Sequence, residues 1–138
     1  MLKKPLLLSL TIAALALAGC SPTSTNEGSP EGYTSISVEI LADMIEERRE
    51  DFLLVNTHIP FEGNLPTTDF SVPYNETSAN LDLFPEDKDA EIVLYCLNDP
   101  MSHTAAQQLV AAGYSNVKIL TGGMNAWQSA GQTLEMEP

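Results

Sequence analysis

Ile92-Val93-Leu94-Tyr95-Cys96-Leu97-Asn98-Asp99-Pro100-Met101-Ser102 is the stretch that decides how this chain folds. Four apolar residues in a row, β-branched and aromatic among them, predict a strand buried on both faces, as in a parallel sheet. That strand delivers Cys96 at its C-terminal end. Leu97 to Met101 follow as a loop. Ser102 to Ala112 then predicts a helix with Ala105, Ala106, Leu109 and Val110 inward and Gly113 as its stop.

The same alternation extends in both directions. Upstream, Ser37 can cap a helix with Val38, Ile40, Leu41, Met44 and Ile45 on one face and charged residues 46–50 opposite. Phe52-Leu53-Leu54-Val55 is a second buried strand. The proline-interrupted stretch from Asn56 to Thr77 predicts mostly loop, with one extended piece around Phe70-Ser71-Val72, and Leu81 to Phe84 a short helical turn. Downstream, Val117 to Leu120 is a third strand, and Gly122-Gly123 leads into a last helix carrying Met124, Ala126 and Trp127, closed by Gly131. Strands alternating with helices predict an α/β fold, a small parallel sheet flanked by helices.

The first residues read differently. Lys3 and Lys4 precede an apolar run from Leu6 to Ala18, which ends Leu17-Ala18-Gly19-Cys20. A basic start, a short apolar stretch and small residues at its end predict a secretory signal. Leu-Ala-Gly-Cys resembles the bacterial lipobox, whose cysteine is lipidated and becomes the new N-terminus. An ordinary signal peptide with Cys20 incidental, or an uncleaved anchor helix, are the other readings. Ser21 to Gly32 contains no large apolar side chain and predicts a flexible tether. The expected organisation is a signal over 1–19, lipidated Cys20 and tether over 20–32, and one domain over 33–138. That places the domain outside the cytoplasm, lipid-anchored to a bacterial membrane of the cell envelope.

With 138 residues and 43% hydrophobic content, the chain has room for one ordinary core. It carries 19 Asp+Glu against 6 Lys+Arg, formally −13. Cleavage would remove two lysines and no acid, leaving Arg48, Arg49, Lys88 and Lys118 as the only bases and a formal −15. Such a surface repels phosphate backbones and anionic headgroups, so nucleic acid is excluded as a partner and membrane contact is through the lipid alone. With Cys20 acylated, Cys96 is the single free thiol in a compartment where unpaired thiols are uncommon. A loop closing onto a helix N-terminus turns successive amides inward and adds partial positive charge, which favours a thiolate or a persulfide anion. A buried, inert strand-end cysteine is the plain structural alternative.

From about Tyr33 to Leu134 the chain resembles the rhodanese-like domain family. The resemblance rests on Ile92 to Cys96, Ser102, Ala105 to Leu109, Gly113-Tyr114-Ser115-Asn116-Val117, and Leu120-Thr121-Gly122-Gly123-Met124-Asn125-Ala126-Trp127 with Gly131, in that order. It implies that Cys96 is nucleophile and persulfide carrier, with the amides of Leu97, Asn98, Asp99, Pro100, Met101 and Ser102 as the persulfide loop. It implies a small sulfur donor and a thiol or other nucleophilic acceptor, and neither metal nor organic cofactor. Asn56-Thr57-His58 stands where the family commonly has Asp-x-Arg, and His58 is a possible pocket residue. Leu97 and Met101 replace basic loop positions, and Asp99 is expected to put a negative charge inside the ring. These departures leave a second reading, a non-catalytic binding or redox-sensing module with a protein partner in the envelope.

A phosphatase or arsenate reductase would need an arginine six residues after the cysteine, where Ser102 stands, and no Cys-x-x-Cys exists for thiol exchange. Asp69 is expected to bond backbone amides, Trp127 to pack the core, His103 to be a polar surface or pocket residue, and residues 86–89 to form a solvated turn.

Overall fold

The computed structural model describes residues 30–138. The expected signal, Cys20 and the tether up to residue 29 lie outside the described residues. Within them, no helix is long and apolar enough to cross a membrane.

Five parallel strands form one sheet in the order β1-β5-β4-β2-β3: β1 Thr34–Ile36, β2 Phe52–Asn56, β3 Phe70–Ser71, β4 Glu91–Tyr95 and β5 Val117–Leu120. The all-apolar run from Ile92 to Tyr95 sits at the centre because it can be covered on both sides, and all four of its residues are fully buried. Alternation sends its side chains to two cores. Ile92 and Leu94 join Val55 and Ile119 under Ala105, Ala106 and Leu109 of helix α2, Pro100–Ala111. Val93 and Tyr95 join Leu54 and Leu120 on the other face. That face is covered by Leu41 and Met44 of α1, Val38–Arg48, and by Met124 and Trp127 of α3, Gly123–Ser129.

Several boundaries differ from those expected. β1 has no apolar run to announce it; Thr34-Ser35-Ile36 is an edge strand, and its pairing with β5 alone makes it one. α2 begins at Pro100, two residues before Ser102, since a proline's fixed φ and missing N–H suit the first helical position. Ile40 is half exposed rather than inward, while Val38, Leu41 and Met44 carry the buried face of α1. Gly32, assigned to the tether, approaches α2 so closely that a Cβ there would lie 2.7 Å from Val110 Cγ1.

Charge is sorted along the strands. At the N-terminal edge, Glu91 Oε2 pairs with Arg48 at 2.6 Å and its Oε1 with Lys118 at 2.6 Å. Arg49 donates to Asp69 Oδ2 at 2.7 Å and to the carbonyls of Thr67 and Phe52. Asp69 Oδ2 also accepts Leu54 N–H at 2.7 Å, the amide-bonding role expected of it. Lys88 lies 3.9 Å above the Tyr114 ring, within the exposed turn 86–89. All four Lys and Arg of the described residues are thus engaged. Three of them sit at the opposite end of the sheet from Cys96, about 16 Å away along a five-residue strand.

Candidate active site at the cysteine loop

Tyr95 faces α1 and α3, so Cys96, the next residue, turns toward α2 and is fully buried. Its Sγ lies 3.7 Å from Ser102 Oγ, close enough for the thiol to donate. Ser102 spends its own proton on the Asp99 carbonyl at 2.8 Å, which also accepts His103 N–H at 3.2 Å as the first bond of α2. Ser102 therefore stabilises a thiol by accepting, and an anionic sulfur only by releasing Asp99.

The start of α3 shapes the loop. Met124 N–H donates to the Cys96 carbonyl at 2.8 Å and Asn125 N–H to that of Leu97 at 2.9 Å. In a trans peptide the N–H points opposite its C=O. Holding those two carbonyls toward α3 turns the amides of Leu97 and Asn98 the other way, into the loop. Neither amide is taken by a backbone carbonyl, nor are those of Met101 and Ser102 in the first turn of α2. These four are the available donors, a smaller set than Leu97 to Ser102. Pro100 has no N–H, and the Asp99 N–H is held by Asn98 Oδ1 at 3.0 Å. With the α2 N-terminus behind them, they offer an anionic sulfur preorganised positive charge.

Such close approach requires glycine at 123, while at 122 a Cβ would stand 2.7 Å from Ala126 Cβ. Both have positive φ, +54° at 123 and +75° at 122, and a Cβ on Gly123 would stand 2.2 Å from the Cys96 carbonyl oxygen. Asp99 is the second clamp. Its Oδ1 accepts Gly122 N–H at 2.8 Å, so the carboxylate is turned to the entry of α3 and is not a free charge inside the ring as expected. That same bond leaves the Asp99 side chain unable to cap α2.

Thr57 stitches β2 to the cysteine strand, donating from both N–H and Oγ1 to the Tyr95 carbonyl at 2.8 and 2.9 Å. His58 comes next and is buried, but none of its hydrogen bonds reaches the cysteine loop. Its N–H donates to Asn56 Oδ1 and its Nε2 bonds Glu62, and the ring lines a groove with Ile59, Phe61 and Phe70. His103 is half-buried, with Nδ1 in a 2.8 Å hydrogen bond with the Tyr33 hydroxyl. Trp127 is core, with Nε1–H donating to the Thr133 carbonyl. Tyr95, just before the cysteine, bonds Leu65 N–H, Thr68 Oγ1 and Asn64 Oδ1 through its hydroxyl. Burial pushes its pKa up to about 12. Among the described residues, no three His, Cys, Asp or Glu side chains are placed to hold a metal ion.

Sequence reasoning missed the clamps, Thr57, Asp99 to Gly122 and the first amides of α3. The Gly-Gly pair at the start of α3 was the one signal for them, and contact with the cysteine loop explains the glycine at 123, whereas a Cβ on Gly122 would meet Ala126 Cβ at 2.7 Å.

The family model of the rhodanese-like domain matches residues 38–130. A sulfurtransferase of Allochromatium vinosum is 31% identical over 99 residues, 67% of this chain and 90% of that protein. An uncharacterized protein of Synechocystis is 31% identical over 102 residues, 71% of this chain, which spans only 56% of that relative's length. The solution structure of a rhodanese-like domain from Anabaena superposes with a TM-score of 0.65 at 20% identity, covering 75% of this chain and 79% of that one. With that match over more than half of the chain and the same sheet architecture, the chain belongs to the rhodanese-like domain family.

Proposed function

We propose that this protein is a sulfurtransferase or sulfane-sulfur carrier that holds sulfur as a persulfide on Cys96. The observation that carries the reading is the set of amides of Leu97, Asn98, Met101 and Ser102, left without carbonyl partners around one free cysteine at a helix N-terminus. The sulfurtransferase among the relatives supports it. In the first step the Cys96 thiolate attacks the outer sulfur of a donor. A new S–S bond forms, and the pair of the broken donor bond leaves with the remaining fragment, sulfite in the case of thiosulfate. In the second, a thiolate or other nucleophile takes the outer sulfur and the Cys96 thiolate departs with the pair. Neither step changes the net charge of the pair of reactants, and the amides serve whichever sulfur carries it.

Among the described residues no Lys or Arg stands at the loop, so a dianionic donor gains nothing from charge pairing with them. Polysulfide or a protein persulfide fits better than thiosulfate. The test is the intact mass of the protein before and after each donor. Gain of one sulfur atom, reversed by cyanide and absent in Cys96→Ser, supports the carrier chemistry. No gain from any of the three donors, in folded protein, overturns it in favour of a non-catalytic binding or redox-sensing module, which the full burial of Cys96 favours.

The lipobox-like Leu17-Ala18-Gly19-Cys20 supports an extracytoplasmic, lipid-anchored protein whose donor, acceptor or protein partner is met at the envelope. Labelling with radioactive palmitate tests this: the parent should take up label and Cys20→Ser should not, and a parent without label would sink it.

A further inference from the structure

We infer that the groove beside His58 binds a small organic cation, an apolar body bearing an ammonium or guanidinium group. The groove has a volume of about 730 Å³, on the scale of small-molecule sites. Ile59, Phe61, Phe70 and Val72 give it apolar walls, and Ile59 and Phe61 are two of the few large hydrophobics left exposed, at 37% and 39%. Its other lining includes Asp69, Glu135 and Glu137, and no Lys or Arg.

The acidic wall is built from the core outward. Asn64 pairs with Glu135 through N–H to carbonyl bonds of 2.7 and 2.8 Å in both directions, and its Nδ2 donates to the Glu137 carbonyl at 3.3 Å. Asn64 is itself held by Asn56 Nδ2 at 2.9 Å and by the Tyr95 hydroxyl at 3.2 Å.

His58 supplies the independent sign of a ligand. Its side chain is only 7% exposed, and its Nδ1 is buried with no hydrogen-bond partner. Because Glu62 can only accept when ionised, Nε2 carries the proton, and Nδ1 of the neutral ring is an acceptor. An unpaired buried acceptor is costly, and a ligand N–H that reaches it removes that cost. If the ring were doubly protonated, Nδ1 would instead ask for an anion, but Glu135 and Glu137 oppose one. Of the carboxylates lining the groove, Asp69 is matched by Arg49, and no ion pair among the described residues takes Glu135 or Glu137. A cation satisfies both the imidazole and the acids.

Cys96 does not line this groove, so the inference stands apart from sulfur transfer. The test is an NMR titration of the full chain with 2-phenylethylamine, 2-phenylethanol and 3-phenylpropionate. The amine should shift the amides of Phe61, Phe70 and Ser71. The alcohol should bind about five-fold more weakly, the worth of one partly screened charge pair, and the carboxylate not at all. Glu135→Gln with Glu137→Gln should remove the amine's advantage and leave alcohol binding as it was; both residues are exposed, so the fold is spared. Cys96→Ser should bind the amine normally. Equal binding of the three probes, no shift from the amine, an advantage that survives the double variant, or loss in Cys96→Ser would each overturn the assignment.

Discussion

Gly123→Ala is the sharpest probe of how the cysteine loop is built. The new Cβ would lie 2.2 Å from the Cys96 carbonyl oxygen and 2.9 Å from both the Asn98 oxygen and the Cys96 carbonyl carbon. All are backbone atoms and cannot swing away, so the start of α3 must withdraw by about 1 Å to restore normal contact. Withdrawal breaks the Met124 and Asn125 bonds, now 2.8 and 2.9 Å, at about 1 kcal/mol each. Holding alanine at φ +54° adds about 1–2 kcal/mol. The expected loss is about 3–4 kcal/mol, a large share of the ~5–15 kcal/mol that holds a domain together. Gly113→Ala is the control: its φ is +96°, but nothing lies within 4 Å of the added carbon, so it meets strain without collision. Urea denaturation should place Gly123→Ala at least about 1.5 kcal/mol below Gly113→Ala. At a urea concentration where Gly123→Ala is still folded, it should also load sulfur more slowly, since the Leu97 and Asn98 amides are no longer aimed. Equal stability of the two variants, or loading at the parent rate, would refute the idea that α3 orients the loop.

Asp99→Ala should cost about 1 kcal/mol through the lost Gly122 bond, whereas Asp99→Asn, which keeps an acceptor, should stay near the parent and react faster with thiosulfate; denaturation and initial rates check both. The bidentate Arg48, followed by Lys118, holds the Glu91 carboxyl below the usual carboxylate range. Its contribution is therefore present above that range and lost as pH falls through the lowered folded value. Glu91→Gln should cost about 1–2 kcal/mol at neutral pH and flatten the acid limb of a stability–pH curve. Tyr95 behaves in the opposite sense: raised from 10.0 to about 12, it adds nothing to pH dependence below its unfolded value and draws stability down as pH climbs from one to the other. Tyr95→Phe should erase that alkaline decline in the same curve. Burial of Cys96 predicts maleimide labelling well below the rate of a free thiol in folded protein, rising on addition of urea.

Much of the fold was legible because the signals were local. The all-apolar runs 52–55 and 92–95, and 117–120 with its single Lys118, all became strands, and the position of Cys96 at the end of the central one followed from counting alone. β1 was not legible: three residues, two of them polar, hold no pattern of their own and are strand only because β5 offers an edge. The start of α2 was misplaced because the loop was counted to Ser102, when Pro100 was already a good first helical residue.

The sequence by itself determined the α/β alternation, the single thiol of the domain and its acidic surroundings, since each is carried by composition or by near neighbours along the chain. Only the tertiary structure decided what the loop around Cys96 presents. Asp99 looked like a charge inside the ring and turned out to be a clamp on Gly122. The Leu97 and Asn98 amides are turned by the bonds that Met124 N–H and Asn125 N–H donate to the Cys96 and Leu97 carbonyls, from more than 25 residues away. His58, two residues past the strand beside it, is committed to Glu62 and to a separate groove. Hydrogen-bond direction depends on where a distant partner stands, and no spacing along the chain encodes that until the sheet brings the partners together.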